Sequence, residues 1–136
     1  MLVVDASVAV KWLLDEPGDR EARALVEGSE ALIAPELIVA EVLNAISKRL
    51  LAGDADIRQG PRVAAALPKL LAHIRSLAPL AAPALEIAAE LRHPTYDCFY
   101  LALAQERRAK LVTADRRLIS RLTGTPWEDQ AVGLWN

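Results

Sequence analysis

The sequence predicts an α/β fold in which helices cover both faces of a parallel sheet. Short apolar runs alternate with longer stretches of helical character along the 136 residues, a pattern typical of parallel sheets. The clearest strand signals are Leu2-Val3-Val4 and Leu111-Val112-Thr113-Ala114. Asp5 ends the first run and Asp115 ends the second. Because ligands bind beyond the carboxyl ends of strands in such sheets, both carboxylates are expected at a ligand-binding edge.

Prolines and glycines divide the chain into strands and helices. Pro17-Gly18 separates two helices, Pro35 suits the first turn of a third, Gly53 ends that helix, and Pro68 is expected to kink or split the next one. The predicted elements are a strand at 2–5, helices at 7–14 and 19–26, a strand at 31–33, helices at 35–52 and 61–72, a strand at 74–80, helices at 84–92 and 96–109, a strand at 110–113, a helix at 116–122 and a last strand at 132–135. The Ala/Leu/Pro-rich segment 53–80 is the least informative.

Composition restricts the class of protein. With 53% hydrophobic and 25% charged residues, the chain is globular, and residues 1–136 are expected to form a single domain. Cys98 is the single cysteine and there are two histidines, which excludes an internal disulfide and leaves too few soft ligands for structural zinc. No signal peptide or membrane-spanning segment is apparent, so we expect a soluble cytoplasmic protein without a membrane partner.

Charge is distributed unevenly. Residues 1–41 hold nine acids and three bases, whereas residues 42–136 hold nine acids and thirteen bases. The densest basic stretch consists of Arg107, Arg108, Lys110, Arg116, Arg117 and Arg121, and it brackets Asp115. A solvated charged face is one interpretation. The second interpretation is a track for a phosphate backbone beside an acidic site, with Arg107, Arg108, Arg116 and Arg117 as the contacts to that backbone.

Four acids lie in apolar or helix-initiating sequence: Asp5, Glu41, Asp97 and Asp115. A buried carboxylate without a partner costs several kcal/mol, and two carboxylates about 4 Å apart repel by about 4 kcal/mol at an effective dielectric of about 20. A divalent ion resolves both problems, and oxygen ligands suit Mg²⁺ or Mn²⁺. Purely structural roles are the alternative: helix capping for Asp5 and Asp115, a favourable helix dipole for Asp97 and a salt bridge for Glu41.

Polar neighbours accompany these acids. The hydroxyls of Ser7 and Thr113, each two residues from an aspartate, are candidates to bond a carboxylate, a metal-bound water or a phosphate, although local capping is an equal alternative. Asn44 lies one helical turn after Glu41 and is a candidate to orient it, or is an ordinary exposed amide. Tyr96 and Tyr100 flank Asp97; stacking on a base is one interpretation, and packing in the core is the favoured one. Cys98 is expected to be buried, and neither His73 nor His93 is assigned a role.

The order and spacing of these residues resemble the PIN-domain family, in particular its VapC-type ribonuclease toxins, over nearly the whole chain. The matching segments are Val3-Val4-Asp5-Ala6-Ser7, Pro35-Glu36-Leu37 with Glu41-Val42-Leu43-Asn44-Ala45, Tyr96-Asp97 with Tyr100-Leu101-Ala102-Leu103-Ala104, and Leu111-Val112-Thr113-Ala114-Asp115. Each segment is weak alone, but all four in this order are specific.

The resemblance implies a three-layer α/β/α sandwich with a central, mainly parallel sheet of roughly five strands. It also implies that Asp5, Glu41, Asp97 and Asp115 form the acidic quartet that holds Mg²⁺ or Mn²⁺ for RNA cleavage. A metal-activated water would then attack the phosphodiester, without a histidine or lysine base. Toxins of this type are usually homodimers that a cognate small antitoxin neutralises.

Different functions are compatible with parts of the pattern. A receiver-type phosphoacceptor domain requires a second acid beside Asp5, where Ala6 stands, and a haloacid-dehalogenase-type phosphatase requires an aspartate where Ser7 stands. A non-catalytic PIN-type RNA-binding or interaction module remains an alternative, although all four acids are present. A housekeeping RNA-processing nuclease is a further alternative.

Overall fold

Five parallel strands form the centre of the molecule. The computed structural model describes residues 1–53 and 57–135. Its strands are β1 Leu2–Val4, β2 Leu32–Pro35, β3 His73–Arg75, β4 Lys110–Thr113 and β5 Ala131–Gly133. They form one sheet in the order β3-β2-β1-β4-β5, and every neighbouring pair is parallel. The prediction of a parallel sheet is therefore confirmed, as is the five-stranded architecture that the resemblance implied.

Helices pack on this sheet in two groups. The helices of the described residues are α1 Ala6–Leu13, α2 Asp19–Glu27, α3 Leu37–Leu51, α4 Gly60–Leu70, α5 Ala81–Leu91, α6 Thr95–Arg107 and α7 Arg116–Leu122, with short 3-10 turns at Ile57–Gln59, Ala78–Leu80 and Glu128–Gln130. Helices α1 to α4 pack against one another and α5 packs against α6, while α7 lies on β4 and β5. Both groups contact the sheet, which gives the predicted α/β sandwich.

The core explains why the strands are so apolar. Val3, Ile33 and Leu111 in the inner strands are buried, and Ile38 of α3 and Leu101 of α6 are buried with them in one continuous hydrophobic cluster. A sheet covered on both faces buries successive residues of a strand instead of alternate ones. Within residues 1–53 and 57–135, no helix is long and apolar enough to cross a membrane.

The order of the strands defines where a ligand site belongs. The chain passes from β1 to its neighbour β2 and on to β3, and β4 then returns to the opposite side of β1. The strand order therefore reverses between β1 and β4, whose register pairs Val4 with Val112. A reversal of this kind opens a crevice at the carboxyl ends of the two strands. Asp5 and Thr113 lie at that crevice.

One predicted strand was wrong over most of its length. The sequence predicted a strand at 74–80, but β3 is only His73–Arg75, and a 3-10 turn at Ala78–Leu80 leads into α5. Pro79 lacks the amide hydrogen that a strand would need, and the amide of Leu80 donates instead to the carbonyl of Leu77 at 2.8 Å. Helix α5 consequently begins before Pro83, which its first turn tolerates.

Smaller differences from the predicted elements occur at Pro35, at Pro68 and in the last strand. Pro35 is the last residue of β2, beyond the part of β2 that pairs with β1, so α3 begins at Leu37 and not at Pro35. Pro68 does not split α4, because the helix ends two residues later. The last strand ends at Gly133, and Leu134 and Trp135 form a turn. The part of the predicted 53–80 segment at 54–56 lies outside the described residues.

Candidate active site

Asp5 is the most deeply buried acid of the predicted quartet. It follows β1 and caps α1, where its Oδ1 accepts a hydrogen bond from the amide of Val8 at 3.3 Å. The residue is only 6% exposed. Ser7 Oγ donates to Oδ1 and Thr113 Oγ1 donates to Oδ2, each at 2.5 Å. Helix capping and a place at the crevice are thus combined in one residue.

Burial makes the charge of Asp5 costly. It raises the pKa of Asp5 from 3.8 to about 6, although the hydrogen bonds from Ser7, Thr113 and Val8 act in the opposite direction. The negative charge of Asp97 raises this pKa further. In the described part of the chain, no lysine or arginine pairs with Asp5. The carboxylate is therefore well held by hydroxyls but not neutralised.

Glu41 is held from a different helix. Tyr100 of α6 donates its hydroxyl to Glu41 Oε1 of α3 at 2.6 Å. Partial burial raises the pKa of Glu41, this hydrogen bond lowers it, and the charge of Asp97 raises it again. Tyr100 is only 1% exposed, and burial together with the charge of Glu41 raises its pKa far above the usual range. Tyr100 therefore remains a protonated donor in the core, a polar role that sequence reasoning did not assign to it. The expectation that Tyr96 packs in the core was wrong, because its side chain is 62% exposed.

Asp97 has a partner that sequence reasoning missed. His93 Nε2 lies 2.5 Å from Asp97 Oδ2, and the two residues are four positions apart. The spacing was a usable signal, but the helix was predicted to begin at 96, and His93 precedes Pro94 at the helix boundary. Helical spacing was consequently not applied across Pro94. His93 is the functional candidate that sequence reasoning overlooked.

Asp115 follows the carboxyl end of β4. It caps α7 by accepting hydrogen bonds from the amides of Arg117 at 2.9 Å and Leu118 at 3.2 Å. Its own amide donates to Thr113 Oγ1, and the amide of Ala114 donates to Ser7 Oγ at 2.9 Å. The two hydroxyls therefore join the loops that follow β1 and β4.

The structure thus brings the four predicted acids to one region, at different separations. Asp97 is near enough for its charge to act on Asp5 and Glu41, and Asp115 is connected to Asp5 through Thr113. Each of Glu41, Asp97 and Asp115 has one carboxylate oxygen without a hydrogen bond among the described residues. Within residues 1–53 and 57–135, no three acidic, histidine or cysteine side chains are close enough to ligate one ion directly.

This donor set fits a hard cation that retains water. The four acids and the hydroxyls of Ser7 and Thr113 offer oxygens, which Mg²⁺ and Mn²⁺ prefer. Mg²⁺ usually binds through one or two carboxylates and keeps several waters, so three direct protein ligands are not required. The buried charge of Asp5 and the repulsion from Asp97 both favour a cation at the carboxylates.

Of the remaining predicted residues, some lie close to the four acids and others lie far from them. Asn44 is exposed on α3, with no hydrogen bond to Glu41 in the described part of the chain. Arg116 and Arg117 form the first turn of α7 directly after Asp115. The two further predicted RNA contacts, Arg107 and Arg108, follow Asp97 by ten and eleven residues along α6, about 15 Å at 1.5 Å per residue. The basic stretch is therefore not one continuous surface beside the acids.

The raised pKa of Asp5 predicts an unusual pH dependence of stability. Its folded-state pKa of about 6 exceeds the ordinary value of 3.8. Below about pH 4 Asp5 is protonated in the folded and unfolded states, so it does not lower the free energy of unfolding. This destabilisation grows as the pH rises and reaches its full value above pH 6. Asp5→Asn should therefore stabilise the chelator-treated protein at pH 7.5 by at most roughly 3 kcal/mol, and this gain should disappear toward pH 4. Urea unfolding across this range measures it.

The matched control is Asp129→Asn, which removes one exposed carboxylate in the Glu128–Gln130 turn. An Asp5→Asn gain that is absent at pH 7.5, or equal at pH 4 and pH 7.5, would contradict an uncompensated buried charge at Asp5.

Comparison with known proteins agrees with this fold. The sequence pattern of the PIN domain matches residues 2–124. A VapC ribonuclease of Mycobacterium bovis and the ribonuclease VapC9 of Mycobacterium tuberculosis are each 36% identical over 121 residues, covering 87% of this chain and 88% of theirs. A chain of a toxin–antitoxin complex from Klebsiella pneumoniae has the same fold, with a TM-score of 0.72, 20% identity and 98% of both chains covered. The chain belongs to the PIN-domain family.

Proposed function

We propose that this protein is a metal-dependent endoribonuclease that acts as the toxin of a toxin–antitoxin pair. The observation that carries the proposal is the buried, un-neutralised carboxylate of Asp5 at the crevice between β1 and β4, with Asp97 acting on it. Relatives named VapC ribonucleases, 36% identical over most of this chain, support RNA as the substrate. A cytoplasmic location and a homodimer also belong to the proposal.

The four acids would hold Mg²⁺ or Mn²⁺. When bound, the ion would supply positive charge to the phosphodiester and lower the pKa of a coordinated water. Among this chain's own residues, Ser7 and Thr113 fix both oxygens of Asp5. Hydrogen-bonded partners of this kind orient carboxylate ligands.

Two further residues would orient the remaining acids. Tyr100 fixes Oε1 of Glu41, and His93 fixes Oδ2 of Asp97. Each contact leaves the second oxygen of its carboxylate available to a different partner. Because its pKa is raised, Tyr100 acts as a hydrogen-bond donor and not as a base.

The quartet is tested by substitutions that keep side-chain shape. Asp5→Asn, Glu41→Gln, Asp97→Asn and Asp115→Asn should each reduce RNA cleavage by about 100-fold or more, since loss of an outer-shell partner alone typically costs about 10–100-fold. Tyr100→Phe, which removes only the hydroxyl that holds Glu41, should cost about tenfold. Initial rates on a labelled RNA, with Asp129→Asn as the control, measure these losses.

Full cleavage activity in any one of the four variants would remove that residue from the site. Circular dichroism must show that each variant is folded, because only a folded and inactive variant counts toward the proposal.

Metal dependence is tested by removal and return of the ion. Chelator should abolish cleavage, and Mg²⁺ or Mn²⁺ should restore it. Either ion should also raise the melting temperature, because it binds the clustered carboxylates and not the unfolded chain. The free energy of unfolding should rise by about 2.7 kcal/mol when the ion concentration is 100 times the dissociation constant. Cleavage that persists in chelator would overturn the metal mechanism.

The position of the basic residues predicts which of them grip RNA. Arg116 and Arg117 follow Asp115, whereas Arg107 and Arg108 are remote from Asp97. Replacing Arg116 and Arg117 with glutamine should weaken RNA binding and reduce the salt slope by about two, because each phosphate contact contributes about one. The matched pair Arg107→Gln and Arg108→Gln should have a smaller effect. Equal slopes for both pairs would indicate a longer phosphate track.

A separate inhibitor completes the proposal. The clustered negative charge near Asp5, Asp97 and Asp115 would attract an arginine of a small antitoxin, since a guanidinium pairs bidentately with carboxylates. Such an arginine would compete with the metal ion for the same oxygens. A chain of a toxin–antitoxin complex has this fold, which supports a partner of this kind.

Expression of the chain alone should inhibit growth, and co-expression of the adjacent small gene should relieve the inhibition. If the chain is harmless when expressed alone but cuts RNA when purified, a housekeeping RNA-processing role replaces the toxin role. If a folded, metal-loaded protein binds RNA without cutting it, the non-catalytic module is favoured instead.

A further inference from the structure

A cavity of about 380 Å³ opens beside the acidic residues. Its wall includes Lys11, Gly18, Glu21, Ala114, Arg116 and Trp135. Ala114 belongs both to the cavity wall and to the acidic region, since its amide donates to Ser7 Oγ. Arg116 directly follows Asp115 in the chain. A molecule in this cavity would therefore lie next to the proposed cleavage site, and the volume falls within the usual range for small-ligand pockets.

Arg116 is held in a fixed position without using its hydrogen-bond donors. Its guanidinium carbon lies 4.0 Å from the centre of the Trp135 ring, a cation–π contact. In the described residues no carboxylate pairs with Arg116, and the nearby Asp115 accepts from the amides of Arg117 and Leu118 instead. The N–H groups of Arg116 therefore remain available to an anion.

Gly133 makes this stacking possible. A side-chain carbon at Gly133 would overlap the Trp135 ring, so the ring occupies the space that any larger residue would need. Trp135 is 39% exposed and borders the cavity. Glycine therefore stands at the position in β5 where the indole ring lies directly against the backbone.

The second cation of the cavity wall, Lys11, is already paired. Lys11 Nζ donates to Glu16 Oε1 at 3.0 Å and to the carbonyl of Pro17 at 2.7 Å. Its aliphatic stem passes 3.4 Å from the position of a side chain at Gly18, so Lys11 contributes apolar wall. Arg116 is consequently the cation of this wall that is free to meet a phosphate.

The two charged side chains Arg116 and Glu21 favour different parts of a ligand in the cavity. Arg116 favours a phosphate at the side next to Asp115, whereas Glu21 repels phosphate and accepts hydrogen bonds from N–H groups. Adenine, cytosine and guanine carry an exocyclic amino group that can donate to a carboxylate, and uracil lacks this group. Trp135, Ala114 and the Lys11 stem supply apolar surface for a base.

We propose that this cavity binds one nucleotide of single-stranded RNA adjoining the scissile bond, with its phosphate on Arg116 and its base directed toward Glu21. The inference rests on the proposed ribonuclease function and adds to it a determinant of cleavage position. Unpaired bases are the part of RNA that proteins read most often, and this cavity is too small for a duplex.

Binding in chelator tests the proposal without cleavage. The probes are fluorescein-labelled ten-nucleotide oligoadenylate and oligouridylate, and the readout is fluorescence anisotropy. The native protein should bind oligoadenylate about tenfold more tightly than oligouridylate. Arg116→Lys, which keeps the charge but loses the planar fork, and Trp135→Leu should each weaken oligoadenylate binding about tenfold. Glu21→Gln should reduce the preference between the two RNAs.

Two variants control for indirect effects. Gly133→Ala keeps both Arg116 and Trp135 but displaces the indole, so it should reproduce the loss seen in Trp135→Leu. Lys69→Gln removes one exposed positive charge on α4 and should leave binding within about twofold of the native value. Binding of oligoadenylate by Arg116→Lys, Trp135→Leu and Gly133→Ala within about twofold of the native protein would overturn the proposal, as would a native protein that binds neither RNA.

Mapping of cleavage sites separates this inference from the proposed function. With Mn²⁺ and purified ribosomal RNA, Trp135→Leu and Gly133→Ala should redistribute the cuts among positions, while Asp5→Asn should remove them all. Unaltered cut positions in both cavity variants, with cleavage still lost in Asp5→Asn, would reject the cavity and retain the ribonuclease. Cuts that persist without metal would reject the metal mechanism, and an absence of cuts by the native protein would reject the ribonuclease.

Discussion

The burial of Asp5 between β1 and β4 is the constraint on which the site depends. Two hydroxyls and one amide hold this carboxylate, yet its pKa still rises to about 6 because the surrounding core removes water from it. Hydrogen bonds orient a buried charge but do not cancel the cost of its desolvation. Because no lysine or arginine in the described part of the chain pairs with Asp5, a cation bound there would stabilise its charge.

The strand order creates that burial. Because β4 returns to the opposite side of β1 from β2, the loops after β1 and β4 meet at one crevice. Across it, Thr113 Oγ1 donates to Asp5, and Ser7 Oγ accepts from the amide of Ala114. Asp5 and Asp115 each begin a helix at this edge, so one residue type both caps a helix and supplies a site oxygen. The same loops form one wall of the neighbouring cavity through Ala114 and Arg116, which connects the acidic residues with a surface suited to a nucleotide.

Most of the fold could be predicted from local sequence, and the wrong strand prediction at 74–80 has a local cause. The strand at 110–113 and the helix at 116–122 occur as predicted, because an apolar run that ends in a capping aspartate leaves little ambiguity. The strand at 74–80 failed because Pro79 lies within it. The four acids could be selected from their apolar surroundings, but contacts between distant segments could not be predicted. The bond from Tyr100 to Glu41 joins residues 59 positions apart, and His93 reaches Asp97 across the helix boundary at Pro94.

Titration of Mn²⁺ into the folded protein by calorimetry tests most directly whether the buried carboxylates prefer a bound cation, because it requires no RNA. We expect saturable Mn²⁺ binding that weakens at least about tenfold in Asp5→Asn and in Asp97→Asn and is unchanged in Asp129→Asn. Failure of the native protein to bind Mn²⁺, or equal affinity in native protein and Asp5→Asn, would contradict a cation site built around Asp5.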